Sequence, residues 1–149
     1  MTQDILDTGK EIFESLERLR GKRDDERMKL ANLLELIGHI VKDTVDKLRL
    51  GQLPSGKGLQ LEMLSEELYF SLAFSLGEIK AKTLANKLRN GYWAGQPNTA
   101  VANQHSPGDL SQLDAAAGYF LVTSRQLRAD QASDTFKVSD AYRSGMRHL

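Results

Sequence analysis

The chain contains no cysteine, which removes disulfides, thiolate nucleophiles and zinc–thiolate sites. It has only three prolines and an aromatic share of 7%, so little in it interrupts a helix. Neither sign of charge is in excess. Lys plus Arg number 20 and Asp plus Glu number 20, leaving no long-range field to draw the chain toward nucleic acid or an anionic membrane. Long apolar runs are missing too. The greasiest stretch, LYFSLAFSL at 68–76, is far shorter than the roughly 20 apolar residues a membrane span needs, and charges flank it closely. The first residues, MTQDILDTGKEIFESLERLR, are charged and amphipathic and lack the basic start and apolar block of a signal peptide. A cytoplasmic protein with no membrane partner is the expectation.

What the chain does have is helical periodicity. Its 149 residues suffice for one domain with a real core, and we expect a single helical domain over 1–149. The organising stretch is Leu59 to Asn90, LQLEMLSEELYFSLAFSLGEIKAKTLANKLRN. At about 100° per residue, Leu61, Leu64, Leu68, Leu72, Leu76 and Ile79 share one side of a helical wheel. Leu59, Met63, Phe70, Phe74, Ala81, Leu84 and Leu88 share the other. A surface helix needs only one apolar stripe, so two opposed stripes predict one long helix sandwiched between partners.

The remaining elements follow from spacing and stop signals. Ile5, Gly9, Ile12, Leu16 and Leu19 alternate at spacings of four and three, predicting a first helix from Thr2. A second should run from about Asp25 to Leu50 on the stripe Leu30, Leu34, Ile37, Val41, Val45 and Leu48. GQLPSGKG at 51–58 cannot continue a helix, and a connection this short makes its flanking helices antiparallel neighbours. The predicted pairing sets Gly38 near Ser71 and Leu34 near Ser75. Residues 91–108 have no period, and a loop that long is usually functional, packed or disordered. Pro107 opens a fourth helix with stripe Leu110, Leu113, Ala117, Phe120, Ser124 and Leu127, and Asp134 starts a short last one. The fold class predicted is all-α: an antiparallel four- to five-helix bundle built around a long central αα-hairpin.

Few residue groupings suggest chemistry. Gly51 to Gly58 approaches the phosphate-binding G-x-x-x-x-G-K-[ST], but Gly58 stands where the metal-holding hydroxyl belongs and a helix precedes it where the motif needs a strand. A helix-to-helix turn is the better reading. Glu35 and His39 lie one turn apart, yet zinc requires three or four ligands. Lys80, Lys82, Lys87 and Arg89, followed by Tyr92 and Trp93, combine cations with rings, as single-strand binding would use. Cations near a helix C-terminus are also ordinary partners of its dipole.

The expectation is therefore a non-enzymatic interaction or oligomerisation module, an adaptor or regulatory protein. Its interface would be Phe70, Phe74, Leu84 and Leu88, with Tyr92 and Trp93 at the rim, because aromatic anchors dominate interfaces. The partner would be another protein or a second copy, and nucleic acid is the less favoured alternative. No cofactor, metal or catalytic group is assigned, and the sequence leans against an enzyme. An alternative comes from Arg143-Ser-Gly-Met-Arg-His148, whose R-x4-6-H form resembles the motif of the HEPN family of helical ribonucleases and nucleotide-binding proteins. That resemblance implies an all-helical ribonuclease or RNA-binding domain using Arg143 and His148 at a dimer groove. Ser144 departs from the Asn, Asp or His usual there.

Overall fold

A computed structural model describes residues 2–52, 56–91 and 107–148, with side chains except at 2, 58, 91, 107 and 130–148. Six helices and no strand occur among the described residues: α1 Thr2–Glu14, α2 Leu16–Arg20, α3 Asp24–Arg49, α4 Lys57–Leu76, α5 Glu78–Gly91 and α6 Pro107–His148. The all-α class is as expected. The single helix expected over 59–90 is instead two helices. Gly77 adopts φ 88°, ψ 154°, a backbone region open essentially to glycine alone. Its N–H still donates to the carbonyl of Ala73, while its own carbonyl accepts from Ala81, so a single residue reverses the chain without leaving those groups unpaired. Glu78 opens α5, where its carboxylate complements the helix dipole.

The hairpin closes over a turn with no other residue in it. Arg89 donates to Glu62 at 2.8 Å, which brings the far end of α5 back to the start of α4. Each half then presents a single stripe to the interior. Leu61, Leu64, Leu68, Leu72 and Leu76 are buried on α4, and Ala81, Leu84, Ala85 and Leu88 on α5. Ile79, which the unbroken wheel places with Leu76, is 87% exposed.

Packing runs in a closed circuit: α3 on α4, α4 on α5, α5 on α1, α1 on α6 and α6 back on α3. The core lies inside this ring, with Phe120, Ile12, Leu34, Leu68 and Leu84 among its fully enclosed side chains. Burying such a side chain contributes about 1.5–3 kcal/mol. Two hydroxyls cross-link the ring. Thr8 on α1 donates to the Leu84 carbonyl of α5 at 3.3 Å, and Ser124 on α6 donates to the Ala31 carbonyl of α3 at 2.6 Å.

The expected central hairpin of α3 and α4 is not the centre. Gly38 faces α6 and not Ser71: a Cβ there would sit 2.8 Å from Leu121 and 3.3 Å from Phe120, so glycine allows α3 and α6 their close approach. Along α4 the contact is shallower and its register differs from the expected one. Asp43 meets Lys57, and Asn32 shares a depression with Ser71. The fourth helix does not end before Asp134 either, because α6 continues to His148. The loop expected over 91–108 falls mostly on 92–106, outside the described residues.

Candidate functional site

A helix held in a ring by neighbours on each flank shows its fourth side to water. On α4 that side carries Leu59, Met63, Phe70 and Phe74, at helical spacings of four, seven and four. They are 65, 64, 72 and 98% exposed. Two ion pairs fix this ridge at its amino-terminal end. Lys57 lies 2.9 Å from Asp43 of α3, and Arg89 of α5 lies 2.8 Å from Glu62. The Lys57 ammonium, hydrogen-bonded to Asp43, holds that carboxyl below its ordinary value, with Lys47 adding to the effect. Tyr69 packs edge-on against Phe70, ring centroids 5.2 Å apart. Tyr69 also leans on the core, so Phe70 is braced in the exposed position.

Open depressions run along both sides of the ridge. Toward α3, Leu36, Met63, Leu64 and Glu67 line one of about 480 Å³, and a second begins at Leu36 and ends at Phe70 and Ser71 beside Lys29. Toward α5, a depression of about 440 Å³ is lined by Glu66, Tyr69, Phe70, Lys82 and Arg89. Leu36 is itself half exposed and joins the ridge across the α3 groove. Large side chains of this kind, gathered on one face, are uncommon on a surface that nothing covers.

The structure divides the interface residues expected from sequence. Phe70 and Phe74 lie on the ridge. Leu84 and Leu88 do not, because both are fully buried in the chain's own core; the reversal at Gly77 turns their stripe inward. Tyr92 and Trp93 lie outside the described residues. Arg143 and His148 fall on the final turns of α6, and their side chains are likewise outside the description. Leu36, Leu59 and Met63 were not among the expected interface residues. Leu36 had a signal, since it is apolar yet falls off the Leu30–Leu34–Ile37 stripe of its own helix.

Two of the polar groupings, the phosphate-loop lookalike and the Glu35–His39 pair, have structural partners. Lys57 of the phosphate-loop lookalike is engaged by Asp43. Glu35 accepts from Arg128 of α6 and lies 3.6 Å from His39, an α3–α6 bridge. Among the described residues no group of three His, Cys, Asp or Glu side chains is placed to hold a metal ion, and no helix is long and apolar enough to cross a membrane. The chain matches no known protein family, no curated protein and no solved structure. The class the fold defines is thus all-α.

Proposed function

We propose that this protein is a non-enzymatic interaction module whose contact surface is the outer ridge of α4, extended by Leu36 of α3. One observation carries the reading: Phe70 and Phe74 stand 72 and 98% exposed on a helix whose opposite face already supplies the core. Leaving two aromatic rings in water forgoes the burial that makes such residues dominant anchors at interfaces. The ridge is rigid, being built on a helix braced on both flanks, so binding would cost it little ordering.

The test is a photo-crosslinking amino acid placed at position 74 in the full chain expressed in cells. A discrete covalent adduct is expected there, and none from the same residue at Arg125, which is exposed on α6. Position 74 giving no adduct, or the same diffuse products as position 125, contradicts the reading.

A further inference from the structure

The charges around the ridge favour one occupant. Glu66 and Glu67 flank α4 one turn before Phe70, and neither has an ion-pair partner among the described residues. Lys29 and Lys82 lie beside Phe70 on the α3 and α5 flanks. Lys29 shares the α3-side depression with Glu67 and Phe70, and Lys82 shares the α5-side depression with Glu66 and Phe70. Neither lysine forms an ion pair among the described residues. In the antiparallel registers set by Asp43–Lys57 and Glu62–Arg89, both lysines lie further toward the C-terminal end of α4 than the glutamates, so each flank runs from acidic to basic.

Such a surface complements itself in one orientation. We infer that the ridge docks against a second copy of this chain, with the two α4 helices antiparallel about a two-fold axis between the levels of Glu67 and Phe70. An isologous contact repeats every pairing: Glu67 of each copy meets Lys29 of the other, and Glu66 meets Lys82. The same operation lays Phe74 of one copy over Met63 of the other, a favourable sulfur–aromatic pairing. A parallel two-fold would instead oppose Glu66 to Glu67, like charge to like charge, which interfaces avoid.

The area agrees. With aromatic side chains carrying about 150–250 Å² each, the exposed parts of Phe70, Phe74, Met63, Leu59 and Leu36 total on the order of 600 Å² per copy. With the flanking charges this approaches the ~800 Å² per partner of a standard specific interface.

This inference rests on the ridge being a binding surface, and the experiment separates the two. Purified full-length protein is followed by sedimentation velocity over a concentration series, together with Phe74→Glu, Glu67→Lys, Lys29→Glu and the double charge swap. The expected result is a reversible dimer. Phe74→Glu should weaken it at least about thirtyfold, the loss typical of an anchor residue. Each single charge reversal should weaken it several-fold, and the double swap should restore it. A monomer at every concentration overturns the inference, as does a dimer indifferent to Phe74→Glu or a double swap that fails to restore binding. If position 74 then crosslinks to a different protein, the ridge is still a binding surface with another occupant. If it crosslinks to nothing, the ridge reading fails as well.

Discussion

Two faces of one helix have opposite fates in this protein. Leu68 and Leu72 are sealed in the core, whereas Phe70 and Phe74, each two residues further on, are 72 and 98% exposed. Both faces are apolar, so hydrophobicity alone does not decide which is covered. Connectivity decides. The inner face meets α5 because the chain reverses at Gly77, and the flanks are taken by α3 and α5, so no described helix remains to lie over the outer face. The inner stripe therefore carries stability and the outer one stays exposed.

Mutations should separate these two faces. Leu68→Ala removes packing from a fully buried site and should cost about 2–5 kcal/mol, measured by urea denaturation. A loss no larger than that of a surface substitution would mean the inner face is not core. Gly77→Ala forces a Cβ into backbone geometry that L-residues avoid and should cost about 1–3 kcal/mol. A neutral result there would mean the helix runs through. Phe74→Glu should leave stability within ±0.5 kcal/mol, as surface changes do, while weakening association. Strong destabilisation would place the ring inside. The smallest effect is at Asp43. Its carboxyl lies below the ordinary value of 3.8 because Lys57 binds the ionised form. Its contribution is then complete above that value and fades as pH falls through the lower folded value. Because the carboxylate is 43% exposed, the contribution should not exceed ~1 kcal/mol. The gap between wild type and Asp43→Asn should close on acidification, and a gap that widens instead would contradict the pairing.

The helical class was legible because single stripes are. Leu61 to Leu76 and Leu30 to Val45 each hold one phase, and both are buried as their spacing predicts. The break at Gly77 was not legible for a physical reason. A glycine inside a helix costs only about 1 kcal/mol relative to alanine, so a helical pattern on both sides of one glycine fits continuation and reversal alike. Once the reversal is missed, the wheel adds Leu84 and Leu88 to the stripe of Phe70, and a core face and a surface face merge. Taken alone, Ala81, Leu84, Ala85 and Leu88 form an ordinary single stripe with Ile79 off it. That is the clue a continuous wheel conceals. Of the exposed ridge, the sequence reading includes Phe70 and Phe74. The groove to α3 with Leu36, and the lysines beside it, depend on how helices distant in sequence are set side by side.

The reversal at Gly77 supports both the core and the exposed ridge, and one distance tests it. The chain has no native cysteine, so spin labels can be placed selectively at Glu62→Cys and Arg89→Cys. These positions lie 27 residues apart in sequence. In the hairpin their native side chains touch at 2.8 Å, and strong short-range dipolar coupling is the predicted result. A separation of about 40 Å, the length of an unbroken helix over that span, would contradict the account.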